Sequence, residues 1–443
     1  MTMSNGFSAS NAMRNGRSVA QPDRSSVLAV WALCALIVMM TVGESFDFDA
    51  TARQSTGAGS IFRQLGYVSI FVAALVGSKS TSDLRRLFVI PTAVTVLLAW
   101  CLLSLLWSVA PDVGVRRLIL TTQIIWIIFI LGRLLAFDQL VAVNLRMMIL
   151  IIAMSYAAAL LFPSFGVHQY STVGDVNLAG SWRGVFFHKN LAGPFCAMAA
   201  IFCIFDNRKT GLFMRLLVTV AASYFLYRTE SKTSIYLLVA SVLLGFLSQA
   251  YKPRYKFAVL LMMAIVTFCA ALFAPLFWDQ LTAPLDSPDA FSGRMQIWLP
   301  VVNYAKDHLL LGAGYGSFWN VGSDSPILRY TVGKAWIVGG VSEAHNGYLD
   351  VLAQIGIVGL MLAAFSLILV PIWMLLSDES MPKRNRALCL AVIFFGMSHN
   401  LTESSLLDRD KPVEVYLVMA VSLLAASANR HRNGRVLQVR PSG

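Results

Sequence analysis

The apolar runs of this chain constrain its fold most, because there are about twelve of them and each is long enough to cross a lipid bilayer. They lie near residues 27–43, 61–77, 87–107, 118–137, 147–163, 191–205, 212–227, 234–250, 257–277, 347–376, 387–403 and 413–428. Charged residues make up 13% of the chain, about half of their usual share in soluble domains. We therefore predict an all-α polytopic membrane protein. The run from Gly347 is long enough to be tilted, or broken at Gly356 or Gly359.

The placement of Lys and Arg predicts the orientation of these spans. Connections 78–86, 138–146, 206–211, 251–256 and 377–386 carry more basic residues per position than the connections between them, so both termini are expected in the cytoplasm. Residues 1–26 are predicted to be a disordered tail and residues 429–443 a basic tail, with the transmembrane domain, 27–428, between them. The net charge of +12 is scattered over short connections, so no nucleic-acid partner is expected.

One outer connection, residues 278–346, is too long to be a mere connector, and long loops are usually functional. Within it, Ser292 followed by Gly293 and Arg294 predicts a short helix with Ser292 as its N-cap and Arg294 facing the mouth of the bundle. The glycine-rich stretch 312–316 lacks the GKS ending of a phosphate-binding loop and is interpreted as a turn.

Two clusters of residues could carry chemistry. The first, residues 182–190, contains two cations, an imidazole and an amide, and the second, residues 343–348, precedes the tenth apolar run. A helix N-terminus disfavours a positive charge, so His345 is expected to be a neutral imidazole that can accept a proton, oriented by Glu343 or Asp350. The alternative is that His345 and Asn346 only cap the helix.

Other polar residues are weaker candidates. His399, Asn400 and Glu403 form a polar patch in the eleventh run, which could be functional or could join helices by hydrogen bonds. Arg228 and Lys232 lie on the predicted outer side and could hold a sugar or a phosphate.

The order and spacing of these motifs resemble the O-antigen ligase and Wzy-type polymerase superfamily. The resemblance rests on Arg183-Gly-x-Phe-x-His188-Lys189-Asn190, on Gly293-Arg294, on the turn Leu311-Gly312-x-Gly314-x-Gly316, and on Glu343-x-His345-Asn346-x-Tyr348-Leu349. It implies a GT-C-like fold with a long periplasmic loop. It also implies a reaction at the outer leaflet of the bacterial inner membrane on sugars carried by undecaprenyl pyrophosphate, with no metal or cofactor.

The chemistry of such a transfer assigns roles to these residues. A diphosphate leaving group calls for guanidinium groups, which bind phosphate through two hydrogen bonds, and the resemblance points to Arg183 and Arg294. The attacking hydroxyl calls for a base that titrates near neutrality, and His345 is the candidate. The further candidates for substrate binding are His188, Lys189, Asn190, Glu343, Asn346, Tyr348, Arg228 and Lys232.

The expected function is polymerisation of lipid-linked oligosaccharide units into exopolysaccharide or O-antigen. One alternative is a ligase that transfers a finished glycan to lipid A core or to protein. Another is a flippase or transporter, although the two related halves typical of transporters are not evident. The expected partners are the lipid bilayer, the lipid-linked oligosaccharide, and other assembly proteins such as a flippase and a chain-length regulator.

Overall fold

The computed structural model describes residues 24–45, 59–78, 87–170, 178–206, 211–273, 294–331 and 341–438. Its α-helices of eight or more residues are α1 (Arg24–Val42), α2 (Ile61–Gly77), α3 (Thr92–Leu103), α4 (Pro111–Leu134), α5 (Phe137–Leu161), α6 (Lys189–Ile204), α7 (Leu212–Arg228), α8 (Lys232–Ala250), α9 (Lys256–Phe273), α10 (Met295–Asp307), α11 (Gly347–Ala364), α12 (Val370–Ser377), α13 (Lys383–His399) and α14 (Pro412–Gln438). The 3₁₀ turn Ser104–Trp107 extends α3, and the π-helical turn Phe365–Leu369 joins α11 to α12. These residues contain isolated β-bridges but no strand.

Each apolar run is helical over most of the residues that the structure describes, which confirms an all-α membrane protein. Five of the described helical stretches are long and apolar enough to cross a membrane, namely Arg24–Val42, Pro111–Leu134, Phe137–Leu161, Lys232–Ala250 and Gly347–Ser377. Other runs form shorter apolar helices, including Ile61–Gly77 and Lys189–Ile204. Twelve spans therefore stay a prediction.

Helices α6 and α14 form the centre of the bundle. Every residue of α6 from Ala192 to Cys203 is buried, and so is every residue of α14 from Pro412 to Ala425. Helix α6 packs against α7 and α8, and α14 packs against α4 and α13. Because helices that are apolar on all sides need protein or lipid on all sides, these two are covered by neighbouring helices.

Helix α11 is broken at Gly356, one of the two positions predicted for a break. Ile355 and Gly356 have non-helical dihedral angles, and Gly356 has φ +68°. The long loop uses the backbone groups that the break leaves unpaired, since the Ile357 N–H donates to Leu309 O at 2.8 Å and the Ala313 N–H donates to Ala353 O at 2.9 Å. The break therefore anchors the middle of the long loop to α11.

The glycine-rich stretch 312–316 is a turn, as predicted, and it contacts the connection between α13 and α14. Gly312, Gly314 and Gly316 all have positive φ, a conformation that glycine adopts at little cost. The turn presents Tyr315, whose hydroxyl donates to Leu407 O at 2.8 Å. This bond ties the long loop to the connection between α13 and α14.

The predicted short helix in the long loop is α10. Arg294 directly precedes it, while Ser292, its predicted N-cap, lies outside the described residues. Ile297, Val301 and Tyr304 of α10 pack with Phe318 and other residues of the long loop in a second hydrophobic core. The position of Arg294 is thus fixed by a helix that the loop itself supports.

Candidate functional site

A cavity of about 460 Å³ opens at one end of the bundle. Its walls come from residues 39–44, 59–64, 113–120, 187–194, 342–345 and 399–413, together with Asn320. Each of these stretches lies in or beside a connection that the sequence places on the outer side. The volume is typical of a site for a small molecule or for the head of a larger one.

Glu403, in the wall of this cavity, contacts three of the predicted site residues. Its Oε1 accepts hydrogen bonds from the Arg294 guanidinium at 2.5 Å and from Asn190 Nδ2 at 3.1 Å. Its Oε2 lies 3.1 Å from Nδ1 of His345. Arg294 also donates to the carbonyl of Thr402. The structure thus brings together His345, Arg294 and Asn190, which are far apart in sequence.

Glu403 is charged over the whole physiological range of pH. Burial raises the pKa of this carboxyl, but the hydrogen bond with His345 and the charge of Arg294 lower it further, so that the pKa is about 2. A buried carboxylate in this state can stabilise a positive charge on the neighbouring imidazole.

His345 lies between two carboxylates. Its Nδ1 is 3.1 Å from Glu403 and 3.4 Å from Glu343. Burial lowers the pKa of His345, but the bond to Glu403 and the charges of both carboxylates more than offset it, and the pKa is raised. The two carboxylates therefore oppose the effect expected from the helix N-terminus, which favours a neutral imidazole.

The ring of His345 is held in one orientation. If Nδ1 donates its hydrogen to Glu403, Nε2 is the nitrogen that can accept a proton. The backbone of His345 has φ +50°, a left-handed conformation that costs about 1–3 kcal/mol in a residue other than glycine. Such strain is found most often at functional sites.

Asn346 and Tyr348 support His345 and are not in the cavity wall. Asn346 is the N-cap of α11, and its Oδ1 accepts from the N–H groups of Tyr348 and Leu349, both at 3.1 Å. Tyr348 donates its hydroxyl to Met397 O at 2.8 Å. The capping alternative is therefore correct for Asn346. Glu343 lines the cavity, but Asp350 accepts from Ala344 N and Trp319 Nε1 instead of orienting His345.

The connection after α13 is shaped by Asn400. The helix ends at His399, so Asn400 and Glu403 follow the span instead of lying within it. Asn400 Oδ1 accepts from the N–H groups of Ser405 and Leu406, at 2.9 and 2.8 Å. Of the predicted polar patch, Asn400 folds the connection, while His399 and Glu403 line the cavity.

The first sequence cluster contributes His188 and Asn190 to the cavity wall. His188 is the N-cap of α6, and its Nδ1 accepts from the Asn190 N–H at 3.1 Å. Burial, reinforced by the nearby His168, lowers the pKa of His188 to about 4. His188 is therefore neutral near pH 7 and cannot serve as a permanent cation.

Four predicted cations outside the long loop, Arg183, Lys189, Arg228 and Lys232, do not line the cavity. Arg183 donates to the carbonyls of Phe165 at 2.9 Å and Phe187 at 3.1 Å. Lys189 donates to Ser181 Oγ at 3.2 Å, and the Arg228 guanidinium lies 4.8 Å from the ring centre of Trp182. Lys232 is exposed at the first residue of α8. None of these four lines the described cavity, so Arg183 does not join Arg294 and His345 as predicted.

A charged stretch that the sequence analysis missed, Asp408-Arg409-Asp410-Lys411, forms another wall. Asp410 pairs with Arg63 of α2 at 2.5 Å and accepts from the hydroxyl of Tyr67 at 2.6 Å. Lys411 pairs with Glu343. Four consecutive charges between two apolar runs, on the predicted outer side, were the signal that could have found it.

Glu343, His345 and Glu403 could together hold a metal ion, since their ligand atoms lie within 4.8 Å of one another. However, Lys411 already pairs with Glu343, and Arg294 already pairs with Glu403. A divalent cation would have to compete with both positive charges, which favours the ion-paired arrangement.

The chain was compared with known proteins. No curated protein matches it. Residues 217–364 match a family model described as Wzy_C, O-Antigen ligase. The matched residues extend from α7 to the end of α11 and include Arg294 and His345. Over residues 217–364 the chain is thus similar to the O-antigen ligase family, in agreement with the resemblance that the motifs indicated.

Proposed function

We propose that this chain is a GT-C-like membrane glycosyltransferase that polymerises undecaprenyl-pyrophosphate-linked oligosaccharide units into exopolysaccharide or O-antigen. The protein crosses the bacterial inner membrane about twelve times and has both termini in the cytoplasm. The reaction takes place at the periplasmic face. One observation carries the proposal, namely the hydrogen bond between His345 and the ionised Glu403 in the wall of the outer cavity.

The geometry fits base-assisted transfer. A hydroxyl of the acceptor sugar attacks the anomeric carbon of the donor, and its proton passes to Nε2 of His345. The new C–O bond forms as the bond between the anomeric carbon and the diphosphate oxygen breaks, and the lipid diphosphate leaves with the bonding electrons. Glu403 and Glu343 stabilise the imidazolium, as a carboxylate does in other histidine-based sites.

Arg294 acts on this base through Glu403. Its guanidinium binds both the Glu403 carboxylate and the Thr402 carbonyl. An Arg in this position keeps the carboxylate ionised and fixes its direction. No metal is needed for the transfer in this arrangement, because His345 accepts the proton and cations of the cavity wall can neutralise the diphosphate.

Ligation is the second candidate, and the description of the matching family favours it. In that reaction the acceptor is a lipid A core or a protein instead of a second lipid-linked unit, while the chemistry at His345 is the same. Partners such as a flippase and a chain-length regulator belong to the polymerase proposal.

The proposal is tested by deleting the gene and complementing it with variants of His345. His345→Asn removes the base and suits the left-handed backbone, since Asn tolerates positive φ. We expect this variant to reach the membrane in normal amount but to produce no polymer. The matched control is His308→Gln, an exposed histidine of the same loop, which should restore polymer fully.

Analysis of the glycans in the deletion strain separates the two candidates. Single units left on the carrier or on the core indicate a polymerase, whereas long polymer stranded on the carrier indicates a ligase. Wild-type glycan in the His345→Asn strain would contradict both.

A further inference from the structure

In the stretch 408–411, Arg409 differs from the charged residues that follow it, which are held by several partners. Asp410 is held by Arg63 and Tyr67, and Lys411 is held by Glu343 and by Ser404 O at 2.8 Å. These contacts fix the backbone directly after Arg409. The wall is therefore rigid at the point where Arg409 extends from it.

Compared with Arg63 and Lys411, Arg409 has the fewest partners and the most exposed side chain. In the described part of the chain, its guanidinium bonds only to the adjacent Asp408, at 3.0–3.1 Å. Its side chain is 37% exposed, compared with 20% for Arg63 and 24% for Lys411. Arg409 lines the large cavity and also a small one beside it. Its backbone is left-handed, with φ +47°, which in a residue with a long side chain is typical of a functional site.

A second guanidinium, that of Arg116 on α4, lines the same cavity. The next residue, Arg117, also lines it, but its guanidinium donates to the carbonyls of Gly316, Trp319 and Asn320 and so fixes the long loop. The first residues of α14, Pro412 and Val413, also line the cavity, and the N-terminus of a helix favours an anion.

We propose that Arg409 and Arg116 bind the diphosphate group of the lipid-linked donor. This inference rests on the proposed function, and it replaces Arg183 and Arg294 in the role of diphosphate ligands. Those two guanidinium groups bind Phe165, Phe187, Thr402 and Glu403, and neither lines the cavity. Two guanidinium groups can each form paired hydrogen bonds with phosphate oxygens and neutralise the leaving group as its charge develops.

The position also suits the reaction. Lys411, two residues after Arg409, pairs with Glu343, and Glu343 lies 3.4 Å from His345. The wall that carries Arg409 is thus joined to the base by the Lys411–Glu343 ion pair and by the contact between Glu343 and His345. A donor held by Arg409 has its diphosphate in the same cavity that His345 lines.

The test measures binding of inorganic pyrophosphate to the purified full chain in detergent by titration calorimetry. Arg409→Gln should weaken binding about tenfold or more, and Arg409→Lys should weaken it less. Arg116→Gln is the second variant, in case Arg409→Gln does not fold, as judged by thermal unfolding. The matched control is Arg254→Gln, since Arg254 contacts Tyr255 away from the cavity.

Several outcomes would overturn the assignment. They are wild-type pyrophosphate affinity in both Arg409→Gln and Arg116→Gln, or no binding by the wild type. Equal affinity for glycerol phosphate would indicate a phospholipid headgroup site instead. Polymer made by His345→Asn, with pyrophosphate binding lost in Arg409→Gln, would refute the proposed function and leave this site standing. The reverse pair of results would refute this site alone.

Discussion

Replacing Glu403 by Gln tests the centre of the candidate site, because Gln has nearly the same shape but no charge. The pKa of Glu403 is about 2, compared with 4.5 for an unperturbed Glu. At about 1.36 kcal/mol per pKa unit, this difference corresponds to about 3 kcal/mol of folding stability at neutral pH. Because the pKa is lower in the folded protein, this stability is present above pH 4.5 and is lost as the pH falls towards 2.

The effect on the reaction should be larger than the effect on stability. Without the carboxylate, the imidazolium of His345 loses its strongest partner, and transfer should slow about a hundredfold to ten-thousandfold. Glu403 also raises the pKa of His345. In the variant that pKa falls, so the acid limb of the pH-rate profile should move to lower pH.

The assay follows elongation of a lipid-linked donor by the purified chain over a range of pH, with thermal unfolding measured in parallel. Glu379→Gln, at an exposed residue between α12 and α13, is the matched control and should behave as wild type. A Glu403→Gln protein with wild-type rate, or with an unmoved acid limb, would refute the pairing of Glu403 with the base.

Two further predictions concern the parts that hold this site. Arg294→Lys keeps the charge but loses the fork that binds Glu403 and Thr402 together, so polymer should fall about tenfold in a complementation assay; wild-type polymer would show that one contact is enough. Gly356→Ala forces a side chain into a position with φ +68° and a Cβ only 2.0 Å from Leu310 O. The variant should be less stable by about 1–2 kcal/mol or more and should unfold at a lower temperature. Gly211→Ala, with open space around its Cβ, should be as stable as the wild type.

The helices could be predicted from sequence because a bilayer demands long apolar runs, and such runs are visible without any tertiary information. The break in α11 was also predictable to within a few residues, since a run of that length with two glycines has few other solutions. Which of the two glycines breaks the helix could not be predicted. The backbone of Leu310, in the long loop, packs so close to residue 356 that only glycine fits there.

The site was predictable only in part. His345 and Arg294 were visible because they stand in motifs beside apolar runs. Glu403 was seen only as a polar patch within a span, because the sequence does not show that α13 ends at His399 and turns through Asn400. The carboxylate that joins the motifs therefore became visible only with the fold.

For the cations the sequence predicted a role that the structure does not support. Arg183 matched a motif and was given a role at the diphosphate, yet its guanidinium binds backbone carbonyls. A motif records that an Arg is present but not whether its charge serves the backbone or a ligand.

Charge balance explains how this cavity can exist at the end of an apolar bundle. Its wall contains five carboxylates, Glu44, Glu343, Glu403, Asp408 and Asp410, and five cations, Arg63, Arg116, Arg117, Arg409 and Lys411. Isolated buried charges would be too costly, but paired ones are tolerated. Since Arg63 and Lys411 are engaged by carboxylates, and Arg117 by carbonyls, a substrate anion competes least where a cation has a single flexible neighbour. That condition is met at Arg409, whose guanidinium bonds to the adjacent Asp408, and this is the reason for proposing Arg409 as a ligand of the donor diphosphate.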